Sequence, residues 1–463
     1  MRCSRKRFST LFLALVVVVN IVGLIAVRVR RHQRLDVALI AAIARNDAPE
    51  VERLIKQGAS PNAHANGIDS RNLLHRILDA LRGKASPGQR SALHIAISND
   101  IQILQSQQES SDIRRKPTPP EPNIVGETII RLLLQNGASL DPETPADREA
   151  EKSSRQLVDE MLSQRTLPEP WYSLDRNEKL LASRVGAWDG SVAAMEGVSE
   201  CRFQTGDYAG AAHWSHIAWM VRPSETRAHQ GMQLAQAYLE RKHDIEAQLP
   251  YGYHVQYVRP YPSYIAGEEN LWAATYTGGV GGPQVGMYQV TKTGMRCLDT
   301  AKKLVHGDVD AEDTGEIQLA VTKISGDSTP LILTHSIFLG ASWAPSRLSV
   351  FTLRSGKLVR LMQADGGEPL EITDLRHDGH WQVQATYEIG GSGMSHAEQP
   401  RWTDIYTYKI GRFVLSNEDY PDEFTHWLKD FKVTLHDYPG DKEILDHLEL
   451  VRRITSGRAT TRD

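Results

Sequence analysis

Cysteine is scarce in this chain: three in 463 residues, at Cys3, Cys201 and Cys297. So small a number excludes a disulfide framework. Cys201 and Cys297 read as two buried thiols, with a single bond between them open only to an exported domain. An excess of basic charge is missing as well. The net charge is −4, which gives no electrostatic reason to expect a nucleic acid partner. Signatures of chemistry are equally thin. No serine sits in a G-x-S-x-G elbow. The glycines of Thr277–Gly286 lack the Lys-Ser/Thr of a phosphate loop and the helix that should follow it, so a β-hairpin is the better reading. His377 and His380, with Asp374 and Asp378, match neither HExxH nor a Cys/His zinc spacing and read as polar turn residues. No catalytic residue, cofactor or metal is expected, and the chain reads as a non-enzyme.

What is present begins with an apolar run, Phe8–Val27, preceded by the basic tail 1–7. Twenty residues at 1.5 Å each are just long enough for a hydrocarbon core of ~30 Å. The expectation is an uncleaved transmembrane helix over 8–27, because the run is too long for a signal peptide and no small-x-small site precedes Arg28. Arg2, Arg5, Lys6 and Arg7 before the run balance Arg28, Arg30, Arg31 and Arg34 after it. The short basic tail favours the cytoplasm, which places the bulk outside. The expected protein is single-pass, in a bacterial inner membrane, with a periplasmic bulk.

The remainder is ordinary globular material, 40% hydrophobic and 24% charged, in several domains. From Leu35, small and apolar residues recur at helical spacing: Ala38, Ala41, Ala42, Val51, Leu54 and Ile55. Asn46–Pro49 makes a turn, Pro49 suits a first helical turn, and Gly58 suits a left-handed helix end. The ending RLIKQGASPN (Arg53–Asn62) returns as RLLLQNGASLD (Arg131–Asp141), and SALHIAISND (Ser91–Asp100) opens a second unit. On these residues, 35–141 resembles an ankyrin-repeat domain. The resemblance implies a structural hydrogen-bonding role for His94 and a degenerate middle repeat over Arg71–Lys84. Its second unit is split by a polar, Pro-rich loop insertion at about 101–126. Residues 142–170 read as a charged linker whose second half is helical.

Over 171–250, Gly206, Tyr208, Ala211, Ala218 and Pro223 are similar to the Gly, aromatic, Ala and Pro pattern of tetratricopeptide repeats, which implies antiparallel helix pairs. Beyond Pro250, at least seven short apolar runs between Gly, Pro and Asp mark a mostly antiparallel β domain over 251–416. A sandwich, an incomplete propeller and a curved sheet all fit. Glu371–Gly391 weakly resembles exported bacterial β modules with a DxDxDG-like calcium loop. Arg376 stands where the middle carboxylate belongs, and a guanidinium among the ligands would remove the charge calcium needs. This segment therefore reads as a turn, with Gly379 supplying positive φ. Residues 417–456 read as covering helices.

One cluster stands out as a surface for a ligand or partner: Tyr251, Tyr253, Tyr257, Arg259, Tyr261 and Tyr264. Such a stripe suits stacking on a sugar or a Pro-rich peptide, and equally suits a seam between helices and a sheet. The function expected is a membrane-anchored scaffold or adaptor that binds other proteins, with anchorage through 8–27. The alternative is an envelope protein whose β domain recognises a ligand or glycan, and a hydrolase ranks third.

Overall fold

The structure is a computed structural model. It describes residues 23–24, 27–65, 91–110, 123–138, 145–164, 171–187, 191–262, 270–278, 283–302, 304, 314–322, 330–338, 346–366, 371–376, 378, 380–389, 394 and 399–456. Helices fill the first half and antiparallel sheets the second. Arg71–Lys84, Tyr264, His377 and Gly379 lie outside the described residues.

The membrane expectation is overturned. Among the described residues no helix is long and apolar enough to cross a membrane. A transmembrane helix over 8–27 and a single-pass inner-membrane placement are therefore unsupported; residues 8–22 and 25–26 lie outside the described residues. The helix that is described, α1 (27–44), carries Arg28, Arg30, Arg31 and Arg34 in its first turns, and each would be costly in hydrocarbon. Its second half turns Leu39, Ala42 and Ile43 into the core instead.

After α1, Asn46 at φ 56° makes the turn. Asp47 then caps α2 (Ala48–Lys56) by accepting from the Glu50 amide. α3 (Ala92–Ser110) and α4 (Ile124–Gln135) follow, α4 capped in the same way by Asn123. α2 and α4 end alike. Gly58 and Gly137 take φ of +99° and +88°, and Ala59 and Ala138 donate back to Leu54 and Leu133. The loop insertion expected at about 101–126 is helical as far as Ser110, because Gln, Ser and Glu sustain a helix where no Pro or Gly interrupts it.

Of the expected linker at 142–170, whose second half reads as helical, 142–144 and 165–170 lie outside the described residues, and the remainder is a packed helix, α5 (Pro145–Gln164), which buries Val158 and Met161. Its Glu151 caps the neighbouring helix by accepting from Ser191 Oγ (3.1 Å) and the Ala193 amide. α6 (Trp171–Ala187), α7 (Val192–Gln204), α8 (Tyr208–Val221) and α9 (Thr226–Glu246) complete the helical half. One apolar cluster runs from Leu39 to Ala228 through all of it. Arg202, 3% exposed, donates to Glu178 Oε1 (2.6 Å) on α6 and to Asp207 Oδ2 (2.7 Å) before α8. A buried charge with two hydrogen-bonded partners fixes geometry more than it adds stability.

Among the described residues the β half is three antiparallel four-stranded meanders. The first is β1 (Tyr253–Tyr261), β2 (Leu271–Gly278), β3 (Gln284–Thr291) and β4 (Gly294–Ala301). β2 and β3 form the hairpin expected of the glycine-rich segment. The second is β5 (Thr314–Thr322), β6 (Leu331–Phe338), β7 (Ser346–Arg354) and β8 (Lys357–Gly366). The third is β9 (Glu371–Thr373), β10 (Gln382–Glu388), β11 (Arg401–Lys409) and β12 (Arg412–Leu415).

The meanders stack face to face, as neighbouring propeller blades do. Tyr257, Leu271 and Met287 meet Ile317, Ile332 and Phe351 between the first two. Leu333, Leu348 and Val350 meet Val383 and Ala385 between the second and third. α8 and α9 cover the free face of the first through Ala211, Ala235 and Val258. Three helices cover the third: α10 (Pro421–Phe424), α11 (Trp427–Asp437) and α12 (Lys442–Thr455), with Phe431 packed by Trp402 and Ile444.

Among the described residues Cys201 and Cys297 form no disulfide; Cys201 is buried, but Cys297 is exposed on the edge strand β4, against the expectation of two buried thiols. In the β9–β10 turn the Asp378 amide donates to Asp374 Oδ1 (3.1 Å). Arg376 leaves that loop, donating to the Asp419 carbonyl and covering the Tyr420 ring at 4.7 Å.

The two halves join at the turn between α7 and α8. Gly206 has φ +79°, and a Cβ there would stand 2.5 Å from the Gln256 carbonyl oxygen of β1. Gly206→Ala is therefore expected to destabilise the fold by about 2–4 kcal/mol, combining the left-handed backbone with the clash. Urea unfolding checks this; a loss below about 1 kcal/mol would mean that the two halves do not meet here.

Candidate functional site

The tyrosine cluster does not form one surface. Tyr251 is fully exposed, Tyr253 half-buried, and Tyr257 and Tyr261 buried at 1% and 6%. β1 is irregular between Val255 and Tyr257. A bulge inverts the alternation of faces, so Tyr253 packs with the helices while Tyr257 and Tyr261 pack toward the second sheet. Tyr261 Oη donates to the Pro330 carbonyl (3.1 Å). Arg259 is enclosed: its guanidinium lies 5.4 Å from the Phe203 ring, 5.9 Å from Tyr238 and 5.8 Å from Tyr257. Its Nη1 donates to Tyr208 Oη (2.8 Å). Tyr208 Oη in turn donates to the Val258 carbonyl and accepts from the Val258 amide, both at 3.0 Å. The centre of the stripe is thus the seam between helices and sheet, and Tyr251 is its outward remnant.

A second constellation, absent from the reading by motif, joins the two parts of the helical half. His213 on α8 is 6% exposed and has a carboxylate at each ring nitrogen. Nε2 lies 2.7 Å from Asp100 Oδ2 on α3, and Nδ1 lies 3.3 Å from Glu127 Oε2 on α4. His216, one turn on, reaches Glu127 Oε1 at 3.2 Å. Burial works against the His213 imidazolium, but the hydrogen bonds and charges of Asp100 and Glu127 outweigh it and raise the group to about 9. The same two histidines hold the Glu127 carboxyl well below the usual carboxylate range.

Beside this joint the surface is aromatic. Trp219 is partly buried, stacked on His216 (6.0 Å between centroids) and tilted against His229 (5.0 Å). Among the described residues no group of three or more His, Cys, Asp or Glu could hold a metal ion. The pair His213 and His216 at i, i+3 on one helix was the available signal, but its carboxylates come from 86 and 113 residues away in the chain.

Glu196 on α7 is a third unusual group. It is 6% exposed, and neither carboxylate oxygen has a hydrogen-bond partner among the described residues. Burial and the nearby Glu225 push its carboxyl up to about 7, with Arg155 and Arg227 opposing.

Comparison of the chain with protein-family models, curated proteins and solved structures gives no match. The site must be read from its own geometry.

Both buried groups give signed pH predictions. His213 is raised in the fold, so its contribution is complete below 6.5 and is lost as pH rises through about 9. Against His213→Gln, the wild type should show an advantage at pH 6 of up to about 3 kcal/mol that shrinks toward pH 10. A constant difference would mean the imidazole is neutral.

Glu196 is also raised, so its protonated form is stable in the fold below 4.5 and the stability is lost as pH rises through about 7. Glu196→Gln should therefore gain up to about 3 kcal/mol over wild type by pH 8.5 and nothing at pH 4. Equal melting curves at pH 8.5 would count against the burial argument.

Proposed function

We propose that the chain is a protein-interaction scaffold that presents a side-chain surface on a rigid stack of helix pairs, without chemistry of its own. The observation that carries this reading is the half-exposed strip of His216, Trp219 and His229, held in place by Glu127 and the buried His213 joint. A half-buried Trp with rigid neighbours is the type of group that anchors protein interfaces, where Trp is among the residues that carry most of the binding energy. The stack beneath is continuous from Leu39 to Ala228, so the strip sits on elements whose own positions cost nothing further to fix on binding. Helix pairs ended by Gly58, Gly137 and Gly206 in left-handed conformations support the likeness to ankyrin and tetratricopeptide arrays, which bind by shape.

The test is a photo-crosslinking side chain at Gln233, which is exposed beside His229 and hydrogen-bonded to it (2.9 Å). A discrete adduct of raised mass is expected in cells, lost at least tenfold in the Trp219→Ala background while the melting temperature moves by only a few degrees. An adduct that survives Trp219→Ala, or none at all, sinks the proposal.

A further inference from the structure

Two hairpin tips of the β half repeat one pattern, a cation, a residue and glycine at positive φ, and a second cation. Between β7 and β8 it is Arg354-Ser355-Gly356-Lys357, with φ of 52° at Ser355 and 73° at Gly356. Between β11 and β12 it is Lys409-Ile410-Gly411-Arg412, with φ of 51° at Ile410 and 78° at Gly411. The tips are neighbours: Arg354 Nη2 donates to the Gly411 carbonyl (3.5 Å).

Each choice works against folding. Arg354 faces Lys357 across its hairpin and Lys409 faces Arg412 across the other, and like charges directly opposite are destabilising. Only Asp419, 2.6 Å from Lys409, offsets them with an ion pair among the described residues. Ile410 is a β-branched side chain in the left-handed region, at a turn position that favours Asn or Gly. It is also fully exposed, so no burial repays the strain. Local strain retained without internal return points to a function outside the chain.

We propose that these paired tips dock an acidic segment of a partner protein, its carboxylates meeting Arg354, Lys357 and Arg412 and an apolar side chain meeting Ile410. This rests on the reading of the chain as an interaction protein but uses a different surface from the Trp219 strip. The apolar contact separates this occupant from a nucleic acid. Single-stranded bases need exposed rings to stack on, whereas Tyr408 and Phe413 beneath the tip are half-buried and pack on each other at 5.2 Å, and a duplex held by its phosphates would leave Ile410 without a contact.

The probe is a synthetic peptide in which Glu alternates with Leu, titrated by fluorescence anisotropy against the full chain at two salt concentrations. The wild type should bind it, more weakly at high salt, and should bind a Glu/Gln peptide at least tenfold less well. Ile410→Asn should raise the melting temperature by relieving the turn and yet weaken binding about tenfold. The double change Arg354→Ala with Arg412→Ala should weaken binding similarly and flatten the salt dependence. Trp219→Ala should leave peptide binding unchanged.

Undiminished binding by Ile410→Asn, or no preference for the Leu-containing peptide, overturns the proposal. So does tighter binding of these residues to phosphatidylserine vesicles, which would assign a lipid. Loss of binding in Trp219→Ala alone would move the site to the helices, overturning the tips while leaving the scaffold reading in place.

Discussion

The structure depends on how the edge of β1 is covered. A strand at the edge of a sheet presents amide and carbonyl groups that must be paired, hydrated or shielded. Here a single phenol oxygen, Tyr208 Oη, takes both main-chain groups of Val258, doing at one residue what another strand would do. It can reach because Gly206 lets the α7–α8 turn lie against the Gln256 carbonyl. It is held because Arg202 and Asp207 fix that turn from behind, and Arg259 closes over Tyr208 from the strand side. The helical half and the β half are thereby joined through backbone geometry and buried polar contacts, with the apolar packing of α8 and α9 laid over them.

The same economy recurs inside the helical half. Asp100, Glu127 and His213 come from three helices and meet where α3, α4 and α8 pack, so the joint is polar at its centre and apolar around it. A buried charged cluster of this kind contributes little net stability against an apolar replacement but penalises any other alignment of the helices, since each displaced partner would be left buried and unpaired. The Trp219 strip takes its orientation from that constraint.

Much of this organisation was legible in the sequence, for reasons that can be named. Gly58 and Gly137 announced helix ends because few other residues tolerate their backbone. The run Leu331–Leu333 of the second meander reads as a continuous apolar stretch, and Leu348–Phe351 is broken only by the buried Ser349, because both faces of that sheet are buried. Periodicity misled where it lacks information. The bulge after Val255 sends Tyr253 and Tyr257 to opposite sides although their spacing predicts one face. The apolar run at 8–27 suggested a membrane span by length alone, whereas the described helix that follows is an arginine-bearing helix with a buried second half. In the charged segment at 145–164 helix was legible in the second half, but its packing was not, because Val158 and Met161 are few among many polar residues. Of the His213 joint only the His213–His216 spacing was legible, and of the Tyr208 contact nothing, since their partners are separated by tens of residues and follow no motif.

The stacking of the sheets has a consequence for assembly. Face-to-face meanders form a series that could in principle be lengthened by another sheet at either end, including one from a second copy of the chain. Both ends are occupied by helices instead, α8 and α9 on the first sheet and α10, α11 and α12 on the third. The helices act as terminators of a one-dimensional packing, closing the series at three layers among the described residues, with the hairpin tips lying off the stacking direction.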